Sequence, residues 1–215
     1  MIKNSKPTCI THNQFEDKAH FDRLDFLLAN HKEGKILDIG NLGGLHGEGP
    51  SNSSHLNFKK LISDNCTLYG FDLYTPKDPK KYLHQQQGDL ENPLPYDTGF
   101  FDTIYMGQIL EHMKNPGKIL KNINNILKDD GVLIMDLPNP YSFQRIIKYL
   151  LFKKEDLGDP THLIFFTPAS LKSLLHVCGF ELQQLSCKHP RNHRFLPHFF
   201  IKGLGSHLLI MAKKA

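Results

Sequence analysis

The chain has 215 residues, 40% of them hydrophobic and 22% charged, with a formal net charge of +4. That length carries a sizeable single core, and so mild a basicity falls short of the clustered excess of a dedicated nucleic-acid binder. The polar start "MIKNSKPTCITHNQ" has no signal-peptide core, and no apolar run approaches the roughly 20 residues that span a bilayer, so the expected location is the cytoplasm.

The segment "FEDKAHFDRLDFLLANHK" places Phe15, Phe21, Leu24, Phe26, Leu27 and Leu28 near helical spacing and predicts a helix. "KILDIG" is short, aliphatic and closed by glycine, as a buried parallel strand is. A loop follows from Asn41 to about Pro50, and Ser51, Asn52 and Ser53 are N-cap candidates for a helix through Leu61. "CTLYGFDLY" predicts a second strand ending at Asp72, and "YLHQQQGDLEN" a short third strand leading to Asp89. "FFDTIYMGQIL" is the fourth strand, followed by a helix over Pro116–Leu127. "DDGVLIMDLPNP" holds the fifth, opened by a turn at Asp129, Asp130 and Gly131. Helices are then expected over Ser142–Phe152 and over Thr167–Cys178, the latter with Thr167 as N-cap and Pro168 at the first helical position. "GFELQQLSC" and "SHLLIMAKK" are closing strands, separated by "KHPRNHRFLPHFFIKGLG", which is too rich in proline, histidine and glycine for regular structure.

Strand and helix alternate through Asp136, the pattern of a mostly parallel α/β sheet covered on both faces. No repeat or linker divides the chain, so one domain over residues 1–215 is expected. Residues 1–32 would form an N-terminal helical cap, and 141–161 and 188–205 acceptor-side insertions. The cysteines Cys9, Cys66, Cys178 and Cys187 form no CxxC pair and read as reduced thiols. The thirteen histidines are scattered without an HExxH or a Cys/His knuckle, so no metal is expected.

The stretch "KILDIGNLGG" carries the chemistry. Glycines after a strand let backbone amides approach a ligand at the carboxyl end of a parallel sheet. A phosphate-binding P-loop is excluded, because no lysine or arginine occurs between Ile36 and Phe58. The dinucleotide fingerprint GxGxxG fails too, since Leu42 stands where its second glycine belongs. What remains is an acid at the first turn, Asp38, a second acid at the end of the next strand, Asp72, and a third after strand three, Asp89. An acid for the ribose hydroxyls, another for an adenine amine and no phosphate cradle match S-adenosylmethionine (SAM).

On "LDIGNLGG", "YGFDLY", "QGDLENPLPYDTGFFDTIYMGQILEHMKNP", "LKDDGVLIMDLPNP" and "DPTHLIFFTPASLKSLLHVCGFEL", the chain resembles the class I SAM-dependent methyltransferases that act on small molecules. The resemblance spans roughly Gly34–Cys187. It implies a Rossmann-like sheet of seven mostly parallel strands, helices on both faces and an antiparallel C-terminal strand. It further implies that Asp38, Gly40 and Gly44 line the methionine end, with Asn41, Leu42 and Gly43 completing the turn. Asp72 and Leu73 would then meet the ribose, Asp89 and Leu90 the adenine, and Met106, Gly107 and Gln108 the methyl end. The family turn is typically D/E-x-G-x-G-x-G, so Leu42 replaces its middle glycine.

Methyl transfer from a sulfonium is an in-line displacement, in which alignment contributes most, and a hydroxyl acceptor gains from a general base. Candidates are Glu111 and His112 after strand four, Asp136 at the end of strand five, and His162 in "GDPTHLIFF". "DLPNPYS" is a rigid turn, its order and place differing from the NPPY motif of amino-group DNA methyltransferases. The interleaved basic and aromatic residues of 188–205 suit an acceptor lid or an anionic lipid surface. The expected activity is methylation of a small molecule, oxygen slightly favoured over nitrogen or carbon. A methyltransferase acting on RNA or protein through 188–205 is an alternative, and nucleic acid is the less expected partner. A non-catalytic scaffold is another alternative, supported only by Leu42.

Overall fold

A computed structural model of the chain describes residues 10, 14–16, 22–42, 57–81, 84–155, 157–188 and 202–215. Its elements are α1 (Arg23–Asn30), β1 (Lys35–Ile39), β2 (Thr67–Asp72), β3 (Gln85–Gln87), β4 (Phe101–Gly107), α2 (Pro116–Ile126), β5 (Leu127–Pro138), α3 (Phe143–Phe152), α4 (Pro168–Val177), β6 (Phe180–Lys188) and β7 (His207–Lys214). A helical turn over 57–61 and one-turn 3-10 helices at Pro79–Lys81 and Leu110–His112 join them.

The seven strands form one sheet in the order β3-β2-β1-β4-β5-β7-β6. β7 runs antiparallel to both β5 and β6, and every other pairing is parallel. The fold expectation is met. The strand order reverses beside β1, which pairs β2 on one side and β4 on the other. That topological switch point is where open α/β sheets place their ligands.

Alternation along the strands sorts the core onto two faces. Leu37, Ile39, Ile104, Met106, Leu133 and Met135 join one cluster with Ile119, Leu120 and Ile123 of α2 and Leu171 and Leu175 of α4. Ile36, Tyr105, Val132 and Ile134 join the other, beneath Phe26 and Leu27 of α1 and Phe58. Local chemistry fixes the helix starts. Asp22 accepts from the Leu24 amide at 3.0 Å to open α1, and Thr167 accepts from the Ser170 amide at 3.1 Å to open α4. Pro116 and Pro168 occupy the first turn of α2 and α4, where no amide hydrogen is needed.

Two expectations change. Spacing drew Phe15 into the first helix, but Phe15 is buried ahead of a shorter α1, because Asp22 caps a start at Arg23. The turn at Asp129–Gly131 interrupts β5 rather than opening it. Phe101 pairs with Leu127 while Thr103 pairs with Val132, so residues 128–131 bulge out of the ladder. The turn residues 43–50, the cap candidates Ser51–Ser53, Cys9 and residues 189–201 lie outside the described residues. Among the described residues no helix is long and apolar enough to cross a membrane.

Candidate functional site

A cavity of about 650 Å³ opens beyond the carboxyl ends of β1, β2 and β4, a size typical of small-molecule sites. Its described lining includes Gly40, Asp72, Leu73, Asp89, Leu90, Gly107, Gln108, His112 and His162 from the residues expected. Arg23, Phe71, Tyr74, Gly88, Asp159 and Thr161 line it as well.

Three of the lining residues are glycine for a steric reason. Gly40 has φ +71°, and a Cβ there would lie 2.2 Å from Ile109 Cδ1. A Cβ on Gly88 would lie 2.8 Å from the Phe71 ring, and one on Gly107 2.4 Å from the Tyr105 hydroxyl. Side chains at these positions would displace the walls, so the glycines keep the cavity open.

Asp72 ends β2 with its side chain only 4% exposed. Its Oδ2 accepts from the Leu42 amide at 2.9 Å and its Oδ1 from the Tyr74 amide at 3.0 Å. Each oxygen is thereby held in place and keeps a lone pair. Leu42 is buried, 2% exposed, and its amide is what grips Asp72. The departure from the glycine pattern therefore contributes a core side chain and a backbone donor. Asn41 turns inward, exchanging hydrogen bonds of 2.8 and 3.1 Å with the Gln85 side-chain amide across Gly70, where a Cβ would come within 2.1 Å of Gln85 Oε1. Asp89 accepts from the Glu91 amide at 2.9 Å.

Not every residue expected at the cofactor lines the cavity. Met106 is fully buried in the core, because alternation along β4 turns it to the face opposite Gly107, whereas Gln108 reaches the opening past the strand end, where the chain turns at φ +55°. Asp38, Asn41 and Leu42 are buried at the turn and are absent from the described lining. Gly43 and Gly44 lie outside the described residues.

The opposite wall is built by the turn after β4 and by residues 157–164. Gln108 sits at φ +55°, its amide donating to the Asp136 carbonyl at 2.7 Å and its side chain to Asp136 Oδ2 at 3.3 Å. Arg23 approaches the same carboxylate at 3.5 Å. Next comes Glu111, whose carbonyl accepts from the amides of Leu163 at 2.8 Å and Ile164 at 3.2 Å. Those two bonds deliver His162 to the Glu111 side chain, with Nε2 at 3.9 Å from Oε1. The rings of His112 and His162 lie 4.8 Å apart.

The Glu111 carboxylate is buried, and neither oxygen has a hydrogen-bond partner in another described group. Burial raises its pKa to about 8, its own backbone amide opposes this, and the nearby Asp136 and Asp159 add to the rise. Burial also lowers the pKa of His112, against the pull of the Thr161 carbonyl. Thr161 and Asp159 were not read from the sequence as site residues. "DPT" is nonetheless an Asx-turn signal: Asp159 Oδ1 accepts from the Thr161 amide at 2.8 Å and from its hydroxyl at 2.5 Å.

Comparison with known proteins agrees with this architecture. A family model described as "Methyltransferase domain" matches residues 11–185. A ubiquinone biosynthesis O-methyltransferase of Psychrobacter arcticus is 25% identical over 166 residues, covering 70% of this chain and 60% of that protein. The chain thus spans about 60% of the length of the curated relatives it matches. Among solved structures, a SAM-dependent methyltransferase of Thermotoga maritima, described as a possible histamine N-methyltransferase, superposes with a TM-score of 0.63 at 22% identity, covering 95% of this chain and 91% of that one. The 1,6-didemethyltoxoflavin-N1-methyltransferase of Burkholderia thailandensis, solved with S-adenosylhomocysteine (SAH), gives 0.59 at 16% identity, covering 90% and 76%. With 175 consecutive positions inside the family model (11–185) and the seven-stranded sheet to match, the chain belongs to the methyltransferase-domain family.

Proposed function

We propose that this chain transfers a methyl group from SAM to a hydroxyl of a small molecule. The observation that carries the choice of oxygen is the convergence of three side chains able to take or relay a proton, Glu111, His112 and His162, beside the carboxyl end of β4. An oxygen acceptor must lose its proton as it is methylated, and groups that take or weaken that proton contribute roughly 10²–10⁴-fold. The O-methyltransferase name of the Psychrobacter relative points the same way.

The donor end fits SAM. Asp72 keeps a lone pair on each fixed oxygen for the two ribose hydroxyls, and Asp89 has an oxygen free of the Glu91 contact for the adenine amine. Leu73, Leu90 and Phe71 offer apolar surface to the base. Gly40 lets backbone approach the methionine end, with Asp38, Asn41 and Leu42 packed behind it. Gly107 and Gln108 lie on the way to the methyl end, whereas Met106 supports them from the core. Bound SAM supplies a sulfonium methyl group, already electrophilic. The chain's task is to align the acceptor, exclude water and deal with the acceptor's proton; alignment alone is worth roughly 7–11 kcal/mol. The scaffold alternative rested on Leu42, and the burial of that residue together with its amide bond to Asp72 favours the catalytic reading.

The acceptor side also has an apolar approach. α3 buries none of its residues, and Tyr149, Leu150, Leu151 and Phe152 are exposed on it. Arg145 ties α3 to the 157–165 segment by donating to the Leu157 carbonyl at 3.3 Å and stacking over Phe165 at 4.5 Å. An acceptor with an apolar portion is favoured. The lipid-like contact expected of 188–205 falls mostly outside the described residues, so α3 is the surface that supports it here.

The test is turnover with methyl-labelled SAM against matched panels of phenols, aliphatic alcohols and amines carrying the same apolar groups. Label is expected in the hydroxyl compounds, with the amines poorer. Preference for the amines would overturn the oxygen reading.

A further inference from the structure

We propose that Glu111, His112 and His162 form a binding site for one divalent transition-metal ion in the acceptor wall of the cavity. One ligating atom from each of the three lies within 4.8 Å of the others. Two imidazoles and one carboxylate are the donor set that suits iron, zinc, cobalt or manganese, and it leaves coordination positions open. The positions left open face the cavity, since His112 and His162 both line it.

The hydrogen bonds around the cluster prepare it for an ion. The Thr161 hydroxyl donates to Asp159 Oδ1 at 2.5 Å, so toward His112 Nδ1, 2.9 Å away, its oxygen is the acceptor. The Thr161 carbonyl, 3.2 Å from the same nitrogen, is an acceptor as well. His112 must therefore carry its proton on Nδ1, leaving Nε2 bare. His162 Nδ1 lies 2.9 Å from the Leu157 carbonyl, which fixes the same tautomer and turns the bare Nε2 toward Glu111. An imidazole that donates one nitrogen's hydrogen to a carbonyl or a carboxylate-backed group, and presents the other nitrogen bare, is how histidine is held at metal sites.

The second, independent observation is Glu111. Its side chain is 1% exposed, and both oxygens lack a hydrogen-bond partner in another described group. A buried carboxylate that no other described group hydrogen-bonds is costly in a finished core, and a cation among these three residues would offset that cost. An ion there would hold the acceptor oxygen at an open position and lower the pKa of its hydroxyl, as a bound cation does for water. That role deepens the O-methylation reading and rests on it. The site itself rests only on its ligands.

The experiment uses the full chain, with thiols reduced and metal stripped by chelator, titrated with Co²⁺ and read by its visible d–d absorption. SAH binding is measured on every sample as a check of the fold and of the methyltransferase reading. One Co²⁺ per chain is expected. Glu111→Gln and His162→Ala should each abolish the band, and Thr161→Val, which removes the support behind His112, should weaken Co²⁺ binding by about 10–100-fold. SAH affinity should stay the same throughout. A chain that binds SAH but gives no Co²⁺ band overturns the metal site and leaves the methyltransferase reading standing. So does a band unchanged in the Glu111→Gln/His162→Ala double variant, which would place the ion on thiols or on other histidines. A Co²⁺ band lost in the variants, in a wild-type chain that fails to bind SAH, would keep the metal site and sink the donor assignment.

Discussion

Asp72 and Glu111 are carboxylates buried to a similar degree, 4% and 0% exposed, beside the same cavity, yet their surroundings are opposites. Asp72 receives a backbone amide on each oxygen, from Leu42 and from Tyr74. Around it the Asn41 and Gln85 amides satisfy one another, and Asp89 is held by Glu91. Glu111 receives no hydrogen bond from another described group, and its neighbours are two imidazoles with bare nitrogens. On the proposed function the contrast has a use: the Asp72 end, finished without its ligand, suits the one constant donor molecule, whereas the Glu111 end carries unspent polar capacity that acceptor chemistry or an ion can use.

The sharpest way to break the comparison is to remove a group from the unfinished end. His162→Ala should cut the turnover number by about 10²–10⁴-fold, the span of acid–base assistance, while SAH affinity stays unchanged. A fall in SAH affinity instead would show that the two ends are not separate. Glu111→Gln tests the cost of the orphan carboxylate in metal-free protein. The folded pKa is raised, from 4.5 to about 8, so the wild type is destabilised progressively as pH rises between those values, and the amide avoids that loss. At neutral pH the variant should be more stable by up to about 3 kcal/mol, and the gap should close below the lower value. A variant less stable than wild type at neutral pH would mean Glu111 has a partner. At the finished end, Gly40→Ala forces a side chain into φ +71° and against Ile109. It should destabilise the fold by ~1–3 kcal/mol and weaken SAH binding, whereas Gly99→Ala, equally positive in φ but open to space, should leave SAH binding intact. The thermal midpoint and an SAH titration of each variant decide it.

The donor end was the more legible from sequence, for a physical reason. Asp38 lies one residue before the end of β1, Asp72 ends β2 and Asp89 follows β3, and each strand is short and closed by glycine or a turn, so these positions at strand ends are set by local pattern. The parity of β4 was misread: Met106 was set beside Gly107 and Gln108 at the methyl end, whereas alternation puts it in the core. The Asn41–Gln85 pair was not readable, because the partners are 44 positions apart and meet only through the parallel pairing of β2 with β3. The acceptor wall was readable only as a set of separate candidates. Thr161 reaches His112 across 49 positions, through backbone bonds from Leu163 and Ile164 to Glu111 that no side-chain pattern announces. The bulge over 128–131 belongs to the same class, since it appears only when β5 is set in register against β4.

The measurement that bears most directly on the central claim is calorimetric titration with SAH of the wild type, Asp72→Ala and His162→Ala side by side. One site per chain is expected in the wild type, with full retention in His162→Ala. A loss of roughly 10–150-fold is expected in Asp72→Ala, the equivalent of about 1.5–3 kcal/mol for hydrogen bonds to a charged group. SAH binding that survives unchanged in Asp72→Ala, or that fails in His162→Ala, would contradict the division of the cavity into a donor end and an acceptor end.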